Sequence, residues 1–186
     1  MSSERWRCFV AVPIGEALRA ELRATVDGWR GQADLRWADP DGWHVTLAFL
    51  GSIPAESVPA LVERLVAPAV ANPVVSVRTG GIGAFPAPAR ARVAWYGVQD
   101  EGGRLARLAS DVAIALGLDA TRPFRPHLTL ARARHPVDLR SWLASASAPE
   151  GALDVDRLTL MRSHLGRGPA RYETLATTTL GVPARV

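Results

Sequence analysis

No lysine occurs in the 186 residues; all 22 lysine-or-arginine positions are arginine. A Schiff-base enzyme, a nucleotidyl-lysine ligase and a P-loop NTPase each need a lysine nitrogen, as nucleophile or as phosphate ligand, so all three are excluded. ATP-dependent RNA ligation through a lysyl-adenylate falls with them. Cysteine is nearly absent too. The single Cys8 can form no internal disulfide and offers no second sulfur for zinc, which suits a reducing cytoplasm. The four histidines and one cysteine make no metal-ligand spacing, so neither metal nor cofactor is expected. Long apolar runs are missing as well. The stretch from Cys8 to Ile14 is too short to span a bilayer and leads into the charged segment Glu16 to Arg23 without a cleavage signature, so neither membrane nor signal peptide is expected. With no heptad pattern, a monomer is the expected state.

What is present is an apolar fraction of 48 %, ample for one compact domain or a pair of tightly joined lobes. A GC-rich genome accounts for most of the arginine bias. The net charge of +4 nevertheless suits a phosphate-bearing ligand, because guanidinium pairs with phosphate oxygens in a bidentate way.

Periodicity predicts a buried strand over Trp6 to Val12, then a helix over Glu16 to Trp29 with Leu18, Leu22, Val26 and Trp29 as its apolar stripe. A loop from Ala38 to Gly42 enters a strand that stops at Gly51; Ser52 to Pro54 turns into a helix from about Ala55 to Val66. Strands are predicted over Val74 to Thr79 and Ala91 to Val98, joined by a Gly- and Pro-rich loop, Gly80 to Arg90, long enough to overhang a groove. A helix over Gly103 to Leu116 precedes a second loop and the strand His127 to Arg132. A short helix around Leu139 to Ala146, a strand around Leu153 to Met161, an irregular turn at Gly166 to Gly168 and a strand from Tyr172 to Leu180 complete the chain. Strand, helix, strand, helix recurs in each half. An α+β fold of two related lobes follows, with helices outside antiparallel sheet.

The pattern that carries chemistry is His-x-Thr-x, once as His44-Val45-Thr46-Leu47 and again as His127-Leu128-Thr129-Leu130. Alternation along a strand puts each histidine and threonine on one face and the apolar residues on the other. Facing each other across a groove, two imidazoles and two hydroxyls would surround a site about the size of a phosphate. That set fits in-line displacement at phosphorus: a neutral imidazole removes a proton from water and a charged one protonates the departing oxygen. Histidine's ordinary pKa, about 6.5, lets small environmental differences hold the rings in opposite states. The threonine hydroxyls can donate to non-bridging oxygens. A single such motif also occurs in ordinary half-buried strands; the second copy, again after a loop, shifts the balance toward function.

These motifs, with Arg7-Cys8-Phe9-Val10-Ala11, Leu47-Ala48-Phe49-Leu50-Gly51, Gly83-Ala84-Phe85-Pro86, Val93-Ala94-Trp95, Pro123-Phe124-Arg125-Pro126 and Arg171-Tyr172-Glu173, give a chain that resembles, over nearly its whole length, the bacterial and archaeal RNA 2′,3′-cyclic phosphodiesterases, formerly called 2′-5′ RNA ligases, of the two-histidine phosphoesterase superfamily. The resemblance implies a single bilobal domain over 1–186, a pseudo-two-fold axis through a central cleft, and hydrolysis of 2′,3′-cyclic phosphate RNA ends to 2′-phosphate without metal. It implies His44 as proton donor and His127 as acceptor. Cys8 departs from the larger side chain the family often has there, a change in packing only. RNA ends or nucleotides bearing a 2′,3′-cyclic phosphate are the expected partners.

Other residues stay open at this stage. On a continuing strand Arg132 would face away from His127, yet the resemblance implies an arginine there that reaches the phosphate, which requires the strand to bend or end near Ala131. Arg125 either shares the phosphate site or caps the loop. Phe9 and Trp43 are candidates for base stacking, or core. His135 reads as an exposed loop residue and His164 as a turn residue without an acidic partner. The competing function is an AMP-like nucleotide-binding module that holds its ligand in the same cleft without turnover.

Overall fold

The computed structural model describes residues 4–121, 123–164, 166 and 170–181. In chain order the elements are β1 (Arg5–Pro13), α1 (Glu16–Trp29), β2 (Arg36–Trp37), β3 (His44–Pro54), α2 (Val58–Ala71), β4 (Val75–Phe85), β5 (Ala91–Gln99), α3 (Arg104–Ala115), β6 (His127–Val137), α4 (Arg140–Ser145), β7 (Gly151–Val155), β8 (Arg157–His164) and β9 (Arg171–Thr179). The predicted helix over Glu16 to Trp29 forms, with its stripe Leu18, Leu22, Val26 and Trp29 buried. Among the described residues no helix is long and apolar enough to cross a membrane.

All strand pairs are antiparallel, and the sheet runs in the order β7-β4-β5-β6-β3-β1-β8-β9, with β2 added on β6. Its midpoint is the junction of β6 and β3, four strands to either side, so the α+β, two-lobed architecture with a central seam is the observed one. The lobes are not the two halves of the chain, however. One is built from the middle, β4 to β7, and the other from both ends, because β8 returns to pair with β1 through Cys8↔Arg162 to Ala11↔Thr159. The reason is hydrogen bonding: β1 is buried over Cys8 to Val12, and a buried strand needs a partner along each edge.

Several boundaries differ from those the local pattern predicts. β3 runs through Gly51 to Pro54; Gly51 at φ 71° takes up a register shift against β1 without ending the strand. β4 likewise passes an irregularity between Thr79 and Ile82 and resumes pairing with β5 up to Phe85↔Val93, so the predicted overhanging loop shrinks to Pro86 through Arg90. α2 starts after a 3-10 turn at Ala55–Ser57 and continues to Ala71 with Pro68 inside it. β6 extends to Val137, which puts His135 on an exposed strand position and not in a loop. The predicted strand over Leu153 to Met161 divides at Asp156 into β7 and β8, which lie at opposite ends of the sheet. The turn predicted at Gly166 to Gly168 falls mostly outside the described residues.

One continuous apolar core joins the lobes. Trp29, Trp37 and Trp142 form an aromatic knot inside it, with ring centroids 5.5, 6.1 and 6.4 Å apart. That knot fastens α1, β2 and α4 together, and its two edge-to-face contacts, Trp29–Trp142 and Trp37–Trp142, add about 0.5–1.5 kcal/mol each beyond area burial.

Candidate active site

The lobes touch along the seam through one ladder pair, Val45↔Leu128. Extending that antiparallel register by one residue each way sets His44 opposite Thr129 and Thr46 opposite His127, all four on the face away from the core, since Val45 and Leu128 are 0 % and 1 % exposed. Beyond the pair the strands part, and β2 fills the vacated edge of β6 through Arg36↔Arg132 and Trp37↔Ala131. The splay opens a cavity of about 590 Å³ whose walls include His44, Thr46, His127, Thr129 and Arg132.

Each imidazole is held the same way. His44 Nδ1 lies 2.6 Å from the carbonyl oxygen of Gly42, and His127 Nδ1 lies 2.7 Å from that of Arg125. A carbonyl oxygen only accepts, so Nδ1 carries the proton and donates it, leaving Nε2 on each ring for chemistry. Aromatic rings buttress both. Phe9 lies against His44 at 4.7 Å and Tyr172 meets its edge at 4.9 Å, while Phe85 meets His127 at 5.0 Å. Tyr172 in turn rests on Gly42, where a Cβ would come within 2.8 Å of the ring.

Burial pushes the His44 pKa down to about 4, with the charges of Arg132 and His127 acting in the same direction against the Gly42 hydrogen bond. His127 is lowered too, first by burial and also by Arg132, against its own bond to Arg125. Both shifts favour the neutral ring.

Arg132 reaches this site because β6 is bulged. Trp95 pairs with Thr129 but Ala94 pairs with Ala131, so Leu130 is an extra residue. Leu130 and Ala131 are consecutively buried, and the alternation restarts in the opposite phase, bringing Arg132 onto the histidine face. β3 does the same at the equivalent place. Ala11 pairs with Thr46 and Val10 with Ala48, Leu47 is the extra residue, and Phe49 is turned out, 70 % exposed. Phe49 and Arg132 are thus equivalents across the seam. A second cavity of about 770 Å³, on the far side of Thr46 and His127, is lined by Phe49, Phe85, Phe124 and Arg125 among others.

The structure brings Arg125 to that second cavity; its carbonyl orients His127. Phe9 faces the cleft but is only 4 % exposed beneath His44, a support for the imidazole. Trp43 corrects the stacking assignment: it is 2 % exposed in the core, since neighbours on a strand take opposite faces and His44 occupies the cleft face. His164 has an acidic partner after all, Glu173 at 2.8 Å, reached diagonally across the β8–β9 ladder, in which Arg171 is the direct partner of His164. Phe49, Phe85 and Tyr172 received no role from the sequence. Only Phe49 left a trace, in the Leu-Ala pair after each His-x-Thr that interrupts the alternation.

A model of the 2′-5′ RNA ligase superfamily matches residues 17–167. The chain is 31 % identical to an RNA 2′,3′-cyclic phosphodiesterase of Geobacillus stearothermophilus over 97 % of its length, spanning 59 % of that relative. It is 32 % identical to the Escherichia coli protein of the same name, over 93 % of this chain and 96 % of that one. The crystal structure of E. coli LigT in apo form superposes with a TM-score of 0.76 at 26 % identity, covering 96 % of this chain and 99 % of LigT. The chain belongs to the 2′-5′ RNA ligase superfamily.

Proposed function

We propose that this protein is an RNA 2′,3′-cyclic phosphodiesterase that opens the ring to a 2′-phosphate by general acid and base catalysis. The observation that carries the reading is the pair of Nδ1-anchored imidazoles presenting Nε2 to one cavity that also holds Thr46, Thr129 and Arg132. His127 Nε2 takes a proton from water as its oxygen attacks phosphorus, the bond from phosphorus to the 3′ oxygen breaks, and His44 Nε2–H protonates that oxygen. One water is consumed, and the proton balance between the rings is restored through solvent. Thr46, Thr129 and Arg132 hold the non-bridging oxygens, where negative charge grows. Phe49 offers the terminal base an exposed π face.

His44, whose pKa burial lowers to about 4, must be protonated to act as the acid. The phosphate anion supplies the opposite charge that raises its pKa, so binding and protonation are coupled. A monomer in a reducing cytoplasm, where the buried Cys8 stays a thiol, completes the proposal.

The test is turnover of an RNA ending in 2′,3′-cyclic phosphate in excess EDTA, with product identity read by chromatography. A 2′-phosphate product is expected. A 3′-phosphate would exchange the roles of His44 and His127, inhibition by EDTA would remove the metal-free mechanism, and tight AMP binding with no turnover of any cyclic phosphate would make the cleft a binding module.

A further inference from the structure

We propose that Arg7 and Arg36, which line the same cavity as Arg132, form a second phosphate site, which takes the phosphate on the 5′ oxygen of the terminal nucleotide. The inference rests on the function proposed above and narrows its substrate. Arg36 is the direct cross-strand partner of Arg132, a juxtaposition of like charges that destabilises a sheet unless something neutralises it. Arg7 comes from the other lobe. It alternates with Phe9 on the cleft face of β1 while Cys8 and Val10 enter the core, and among the described residues the same cavity wall includes Arg7, Arg36 and Arg132 but no aspartate or glutamate.

Arg19, Arg23, Arg30, Arg78 and four more each pair with a carboxylate. Among the described residues Arg7, Arg36 and Arg132 form no such pair, nor do other arginines such as Arg64 and Arg90; what sets Arg7, Arg36 and Arg132 apart is that all three line one cavity. The charge count then identifies the ligand. A cyclic phosphate diester carries one negative charge, and Arg132 with a protonated His44 already exceeds it. Two further guanidinium groups on the same wall match a second phosphate, and guanidinium meets phosphate through two parallel hydrogen bonds. A nucleotide with a 5′-linked phosphate provides it, either as the phosphodiester of an RNA chain or as a free 5′-phosphate. We favour the RNA chain, since its further phosphates prolong the same attraction.

The experiment compares kcat/KM for adenosine 2′,3′-cyclic phosphate, its 5′-phosphorylated form and the dinucleotide adenylyl-adenosine ending in 2′,3′-cyclic phosphate, using the wild-type chain, R7Q, R36Q and the double variant. The dinucleotide is expected to be favoured over the unphosphorylated mononucleotide by about 10-fold or more, and the double variant should lose most of that ratio. The mononucleotide rates serve as the control for folding. The salt slope of dinucleotide kcat/KM should also flatten by about one per arginine removed. A wild-type ratio near one, or a double variant that keeps the ratio, overturns the second site while leaving the phosphodiesterase standing. Preference for the 5′-phosphorylated mononucleotide equal to that for the dinucleotide assigns the site to a terminal phosphate and overturns the RNA chain. Calorimetry with the corresponding 2′-phosphates reads the same preference without turnover, so loss of catalysis and loss of the site are separable.

Discussion

The strands β3 and β6 arrive at the seam from different lobes with the same backbone plan and leave it with different side chains. Each opens on a histidine anchored to the carbonyl two residues earlier, continues through an inward apolar residue to a threonine, and bulges at the next position. The residue thrown outward by the bulge is Phe49 in one and Arg132 in the other. What repeats is the geometry that presents Nε2. What differs decides the direction of the cleft: Arg132, Arg36 and Arg7 line one cavity, Phe85 and Phe124 line the other, and Phe49 stands on the walls of both. In the proposed mechanism a symmetric pair of proton-transfer groups thereby acts on an unsymmetric ligand.

The comparison breaks most visibly at the histidines. His44→Ala and His127→Ala should each lower kcat by about 10²–10⁴-fold, the range of a positioned acid or base, with the circular dichroism of the fold unchanged; near-native turnover in either would end the claim of equivalent roles. Thr46→Val and Thr129→Val remove one donor each and should cost about 10²-fold in kcat with a smaller change in KM. If only one of them matters, the two arms are not chemically equivalent.

Arg132→Phe and Phe49→Arg exchange the features that differ. Arg132→Phe should lower kcat/KM by about 10–100-fold by removing a charge-assisted contact. Phe49→Arg should cost less, about 10-fold and mostly in KM, the size of one lost stacking contact. The double exchange would restore activity if the cleft were truly reversible, and no recovery is expected, because Arg7 and Arg36 stay where they are.

The pH dependence sharpens the contrast between the rings. Burial lowers both, His44 to about 4, so the alkaline limb of kcat/KM, which reports the free enzyme, should lie at lower pH than that of kcat, where bound phosphate raises the pair. Coincident limbs would mean that phosphate does not move them. The folding stability has a definite sign. Below the ordinary value of 6.5 the unfolded chain takes up a proton that folded His44 refuses, so stability contributed by this residue falls as pH drops from about 6.5 to about 4 and levels off below. Urea midpoints across that window should decline less in His44→Ala. The smallest effect is at Gly42→Ala, whose new methyl meets Tyr172: a loss of about 1 kcal/mol and a few-fold in kcat, with the counterpart Arg125→Ala, which keeps its carbonyl, leaving the tautomer of His127 intact.

Much was legible without coordinates. The stripe of α1 and the alternation in His44-Val45-Thr46 and His127-Leu128-Thr129 are local, because side-chain direction within one helix or strand follows from its own period. Trp43 shows the same rule applied too late: alternation from His44 already assigns it to the core. Arg132 shows where the rule stops, since a bulge is a relation between two strands and the partner β5 sets where the extra residue falls.

By itself, then, the sequence determined which chemistry was available: arginine without lysine, and two imidazoles each paired with a hydroxyl at strand spacing. Tertiary structure alone decided that β8 and β9 join the lobe of β1 and β3, that one ladder pair brings the histidines to a common cavity, and that Arg36 stands beside Arg132. The physical reason is range. Residue type and local period act over a few positions, whereas strand partnership and the charge gathered in a cleft depend on segments far apart in the chain.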